Sequence, residues 1–123
     1  MKVGNDLVEV ERFYKLLSNE SFIKRVFTDK EMQHINSFND EQKKAERMAG
    51  KYAGKEAVAK AIGFGIAKGV SFNEIEILPN NDGKPQVSLS GKTKVIFNSL
   101  DEKNIEISIS NTKNLASAVC IIF

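Results

Sequence analysis

"GKYAGKEAVAKAIGFG", Gly50 to Gly65, is the stretch on which the reading of the fold turns. It belongs to a run whose spacing predicts a helix from about Glu41 to Ile62, stopped by Gly63. Gly50 and Gly54 are costly inside a helix, at about 1 kcal/mol each relative to alanine. With about 100° per residue, Ala45, Ala49, Ala53, Ala57, Glu56 and Lys60 share one arc of roughly 120°, which Gly50, Gly54 and Ala61 extend. Met48, Tyr52, Val58 and Ile62 lie opposite, interleaved with Lys51 and Lys55. No continuous solvated face is left, so this helix is expected at the centre of the molecule. A surface of alanine and glycine lets another backbone or a ligand come close, and Glu56 and Lys60 would face it. The plainer alternative is an i,i+4 surface ion pair, which contributes a few tenths of a kcal/mol.

Upstream, "KVGNDLVEV" reads as a first strand with Asp6 near its middle or end. "VERFYKLL" and "SFIKRVF" read as short amphipathic segments. Thr28, three residues before Glu31, is a capping-box pattern that predicts a helix from about Asp29. Downstream, "FNEIEILPN" and "KPQVSLS" flank the turn "NNDG" and predict a hairpin. "KTKVIFNSL" is expected to be a helix with Val95, Ile96 and Leu100 on its apolar side. "NIEISIS" and "LASAVCIIF" are expected to be two more strands joined by "NTKN". Interspersed helices and antiparallel hairpins make the class α+β, with an antiparallel sheet on the long helix and shorter helices around it.

The chain's 123 residues suit one domain, 1–123. A net charge of +2 and no aromatic stacking pattern on the strands argue against a nucleic-acid-binding domain. No apolar run reaches the length of a membrane span, and "MKVGNDLVEV" has no signal-peptide character. The lone Cys120 cannot form an internal disulfide and is expected in the core, which fits a cytoplasmic location. His34, the only histidine, falls outside every motif and is expected on the surface.

Asp6 is a second anomaly, because aspartate is depleted in strands. A strand-borne Asp6 and a helix-borne Glu56 would offer two carboxylates to one Mg²⁺, an ion that takes one or two carboxylates, phosphates and waters. A turn or edge role for Asp6 is the alternative. Gly63 and Gly65 form a glycine-bearing turn whose amides would suit phosphate oxygens, although helix C-caps look the same.

Taken in order, "VGNDLVEVER", "RMAGKYAGKEAVAKAIGFGI", "GVSFNEIEIL", "DGKPQVSLSG" and "ISISNTKNLASAV" resemble the holo-[acyl-carrier-protein] synthases, the small-type 4′-phosphopantetheinyl transferases. The resemblance covers nearly the whole chain, and G-x-D together with K-E-A-x-x-K is its most specific part. It implies transfer of 4′-phosphopantetheine from coenzyme A to a serine of apo-acyl carrier protein, in fatty acid biosynthesis. Adenosine 3′,5′-bisphosphate is released and Mg²⁺ is required. It also implies a cytoplasmic homotrimer with active sites between subunits.

On this resemblance Asp6 and Glu56 are the metal ligands, and Lys60 is the pyrophosphate contact. Glu56, directly or through a metal-bound water, is the expected base, with Asp6 the alternative. Lys43, Lys44 and Lys51 are expected near the coenzyme A phosphates. Gly83, Lys84 and Pro85 are expected near the adenine, and Asn111 and Thr112 near a phosphate. Arg12 and Arg25 would dock the acidic carrier protein.

Four positions depart from the family pattern. Asn111 stands where "SHT" usually has histidine, and cannot carry a proton or a positive charge. Lys51 stands for a common arginine and lacks its fork, Gly54 stands for an alanine, and Asn5 stands for an apolar residue. The Asn111 change is the best support for a rival reading, a non-catalytic coenzyme A or nucleotide-binding module.

Overall fold

The computed structural model describes residues 1–63 and 69–123. In chain order the elements are β1 (Lys2–Glu9), α1 (Arg12–Leu16), α2 (Glu20–Val26), α3 (Asp29–Asn36) and α4 (Glu41–Ile62). A 3-10 turn (Phe72–Glu74), β2 (Ile75–Pro79), β3 (Pro85–Leu89), α5 (Gly91–Asn98), β4 (Ile105–Asn111) and β5 (Leu115–Ile122) follow. The strands form a three-stranded antiparallel sheet, β1-β5-β4, and a separate β2-β3 hairpin. The α+β expectation therefore holds, with the strands divided between two sheets.

The ends of the helices follow from local chemistry. The Asp40 side chain accepts from the Gln42 N–H at the start of α4, and Gly63 closes the helix in the left-handed region at φ 88°. Thr28 and Glu31 complete the capping box of α3 in both directions.

Helix α4 lies on the three-stranded sheet and also touches β2, α1 and α3. Its small residues explain how close it comes. Ala45, Ala49, Ala53, Ala57 and Ala61 are buried. A Cβ on Gly4 of β1 would collide with the Ala57 carbonyl oxygen and lie 2.6 Å from the Ala61 nitrogen. On α4 itself, a Cβ at Gly54 would come within 2.6 Å of Ile77 Cδ1 and 3.0 Å of Ile107 Cδ1. One at Gly50 would come within 3.1 Å of Ile109 Cγ2. The two helical glycines thus make room for isoleucines of β2 and β4, and the alanine arc meets the protein's own sheet.

Two expectations, for α5 and for His34, need correction. Lys51 and Lys55 are both buried, in keeping with a helix that has no continuous solvated face. Lys55 Nζ donates to Glu31 Oε1 at 2.7 Å, to the Phe72 carbonyl at 2.9 Å and to the Ile75 carbonyl. On α5 the buried residues are Thr93 and Phe97, while Val95 is 68% exposed. Thr93 is drawn inward because its hydroxyl donates to Glu74 Oε1 at 2.8 Å and accepts from the Ser71 N–H at 2.9 Å. His34 is half-buried, packed edge-on against Phe38. Cys120 is fully buried, as expected, and burial pushes its thiol up to about 12.

Candidate active site

The first site lies along the seam of β1 and α4. Asp6, paired with Ala118 in mid-strand, is half-buried, with its side chain 15% exposed. Lys60, on the last turn of α4, donates to Asp6 Oδ1 at 3.1 Å and to the Asn5 carbonyl at 3.0 Å. Glu56 sits one turn before Lys60 and is half-buried. Tyr52 is one turn further back, in an aromatic cluster with Phe13, Phe22 and Phe72. Burial, reinforced by the Glu56 carboxylate, holds the Tyr52 hydroxyl above its ordinary pKa. The Arg12 guanidinium carbon lies 5.5 Å from the Tyr52 ring centre, and Arg25 borders a groove shared with Phe22, Phe72 and Tyr52. The structure thus brings Asp6 and Lys60 into contact and aligns Glu56 with them, with both arginines beside the same helix.

Other positions at this end are already engaged. The Gly63 N–H closes α4 by bonding the Ala59 carbonyl at 3.1 Å. Gly65 lies outside the described residues.

The second site is a cavity of about 370 Å³ beside the first half of α4. Of the expected residues, Lys51, Gly83, Pro85 and Asn111 line it; Lys43, Lys44, Lys84 and Thr112 do not. Lys84 pairs instead with Glu106 at 2.9 Å, both exposed. The Thr112 hydroxyl accepts the N–H groups of Asn114 and Leu115 within its own turn. Lys51 Nζ donates to the Ile77 carbonyl at 2.7 Å, and burial pulls its pKa down to about 8.

The sequence reading missed His34, Phe38, Glu46 and Arg47, which share the cavity. Glu46 and Arg47 stand one turn before Gly50 and Lys51, so the i,i+4 spacing was the available signal. Asn111 Nδ2 donates to Glu46 Oε1 at 2.7 Å, and Arg47 Nη1 lies 3.4 Å from Asn111 Oδ1.

A sequence model of the 4′-phosphopantetheinyl transferase superfamily matches residues 2–120. The holo-[acyl-carrier-protein] synthase of Fusobacterium nucleatum is 39% identical over 121 residues, covering 98% of this chain and 96% of that one. Its counterpart in Caldicellulosiruptor saccharolyticus is 44% identical over 119 residues, covering 97% and 93%. Among solved structures, the Bacillus anthracis synthase in complex with CoA (3′,5′-ADP) superposes with a TM-score of 0.80 at 32% identity, covering 98% and 94%. The Helicobacter pylori synthase in complex with coenzyme A gives 0.82 at 28% identity, covering 98% and 99%. The backbone arrangement, the motifs and these likenesses agree: the chain belongs to the 4′-phosphopantetheinyl transferase superfamily, as a holo-[acyl-carrier-protein] synthase.

Proposed function

We propose that the β1–α4 seam is where this holo-[acyl-carrier-protein] synthase moves 4′-phosphopantetheine from coenzyme A to the carrier serine. The observation that carries this reading is the contact of Lys60 with Asp6 across the seam, with Glu56 one turn before Lys60 on α4. The serine oxygen bonds to the β-phosphorus as the bond to the adenosine bisphosphate breaks, and the serine proton passes to Glu56, with Asp6 the alternative acceptor. The Lys60 ammonium meets charge that builds on the pyrophosphate oxygens.

The seam suits Mg²⁺. It offers two carboxylates, and no cluster of three or more acidic, His or Cys ligands occurs among the described residues. That matches an ion completed by waters and substrate phosphates. When bound there, Mg²⁺ supplies electrostatic stabilisation of the phosphate charge.

The cavity beside Lys51, Asn111 and Pro85 takes the nucleotide end of coenzyme A. Arg47 and Lys60 mark the cavity and the seam on one helix, thirteen residues apart, about 20 Å at 1.5 Å per residue. The family resemblance implies active sites between subunits, and on that reading each one combines the seam of one copy with the cavity of another. The sheet face turned away from α4 supports the assembly: Val3, Leu7, Leu115, Val119 and Ile121 are exposed side by side on β1 and β5. The family resemblance makes the assembly a homotrimer, which light scattering on a sizing column tests directly. Arg12 and Arg25 beside the seam dock the acidic carrier. The whole chain, 1–123, acts as one domain in the cytoplasm. A reduced, buried Cys120 fits that location, and among the described residues no helix is long and apolar enough to cross a membrane.

The test is a mass measurement on apo-acyl carrier protein incubated with the protein, coenzyme A and Mg²⁺. The carrier should gain one phosphopantetheine, and Glu56→Gln should nearly abolish the gain. Wild-type rates in that variant would overturn the assignment of the seam.

A further inference from the structure

We propose that Arg47 is the residue by which this chain selects a nucleotide bearing a 3′-phosphate monoester on its ribose; this rests on the reading that the cavity holds the nucleotide end of coenzyme A. Among the described cations that line the cavity, Arg47 is the one that keeps most of its donors unused. The Lys51 ammonium is buried and already donates to the Ile77 carbonyl at 2.7 Å. Burial, with the charges of Lys51 and Arg47, lowers the pKa of His34, and its Nδ1 is buried without a partner among the described residues. Arg47 has no carboxylate within ion-pair distance among the described residues. Its one side-chain hydrogen bond is the long 3.4 Å approach to Asn111 Oδ1. Among the described residues, the one carboxylate lining the cavity, Glu46, is occupied on both oxygens, by Asn111 Nδ2 at 2.7 Å and Gln42 Nε2 at 3.0 Å.

The guanidinium is also oriented. Its central carbon lies 5.0 Å from the Phe38 ring centre, and Asn111 holds one end. Ile77, Pro79, Pro85 and Ile109 give the cavity apolar walls, against which a flat base would pack. A planar fork of donors at the mouth of such a cavity matches a phosphate monoester better than an ammonium would. Arg47 also puts a permanent positive charge beside Asn111, a side chain that can carry none.

The test compares binding of adenosine 3′,5′-bisphosphate and adenosine 5′-monophosphate by calorimetry, using the intact protein. Wild type should prefer the bisphosphate. Arg47→Gln, which removes the guanidinium and its charge but keeps a polar side chain, should weaken the bisphosphate by roughly ten- to a hundredfold and the monophosphate by no more than about twofold. Arg47→Lys should fall between. With coenzyme A in the transfer assay, Arg47→Gln should raise KM and leave kcat near wild type. Full retention of the preference in Arg47→Gln would overturn the proposal. So would an equal loss in Lys94→Gln, which removes a charge on exposed α5 away from the cavity. If wild type binds the two nucleotides equally or not at all, the cavity reading falls and Arg47 with it.

Discussion

Lys60 Nζ donates to Asp6 Oδ1 at 3.1 Å and so ties the last turn of α4 to the middle of β1. The pair is uneven: the lysine side chain is 53% exposed and the aspartate 15%. An ion pair this open contributes little to stability, about 0–1 kcal/mol. On the proposed reading of the seam, its value lies in holding an ammonium and a carboxylate one helical turn from Glu56.

Removing either partner should therefore separate activity from stability. Asp6→Asn is expected to lower transfer by roughly a hundredfold or more, since one of two carboxylates at the phosphate site is lost. Lys60→Ala should reduce kcat by a similar order while unfolding in urea within about 0.5 kcal/mol of wild type. A large loss of stability in Lys60→Ala, with activity kept, would mean that the pair is structural.

The glycines make a paired prediction. A Cβ on Gly4 meets backbone atoms of Ala57 and Ala61, which cannot rotate away, so Gly4→Ala should destabilise by about 1–3 kcal/mol or more. The nearest neighbours of a Cβ on Gly54 are the methyl ends of Ile77, Ile107 and Ile109, which can turn, and alanine gains about 1 kcal/mol of helix propensity. Gly54→Ala should then stay within about 1 kcal/mol of wild type. Urea midpoints decide it; equal midpoints for the two variants would contradict the close approach of β1 to α4.

Some of this was legible and some was not, for reasons that sit in particular residues. The limits of α4 and the start of α3 could be read because Asp40, Gly63, Thr28 and Glu31 act on backbone groups within a few residues of themselves. Asp6 and Glu56 stood out because their type was wrong for a strand and for a small-residue arc. Lys55 could not be placed, since its burial depends on Glu31, 24 residues away, and on carbonyls beyond the end of its own helix. The burial of Thr93 could not be read for the same reason, its partner Glu74 being 19 residues distant. Arg47 carried no signal of its own in the sequence, because its neighbour Asn111 comes from β4, 64 residues away.

The Lys55–Glu31 pair is fully buried and shared among several elements. Glu31 Oε1 also accepts from the Thr28 N–H at 2.9 Å, and Oε2 accepts from the Ile77 N–H at 2.8 Å, so α3, α4 and β2 meet at one carboxylate. Burial lowers the pKa of Lys55, and the Glu31 charge and hydrogen bond oppose that shift. Lys55→Met would leave Glu31 in the core without its cation, a loss expected to cost about 3–5 kcal/mol. Chemical denaturation of the variant measures it, and a cost below about 1 kcal/mol would show that the pair is dispensable.

Lys51 supplies a pH test with a definite sign. Burial lowers its pKa from the ordinary 10.5 to about 8, the charges of Lys55 and Arg47 add to the shift, and Glu31 and Glu76 oppose it. Below about pH 8 the folded and unfolded chains both hold this proton, and the folded state bears the whole penalty of the buried charge. Between about 8 and 10.5 the unfolded chain holds the proton more often, so stability from this group rises with pH, by at most about 1.4 kcal/mol per pH unit. Lys51→Met removes the group while keeping most of its apolar stem. Urea unfolding at about pH 7.5 and pH 10 should show wild type gaining on Lys51→Met at the higher pH. Other lysines, Lys55 included, are common to both proteins and cancel in the difference. A pH-independent difference would mean that the Lys51 ammonium is as well solvated in the fold as in the unfolded chain.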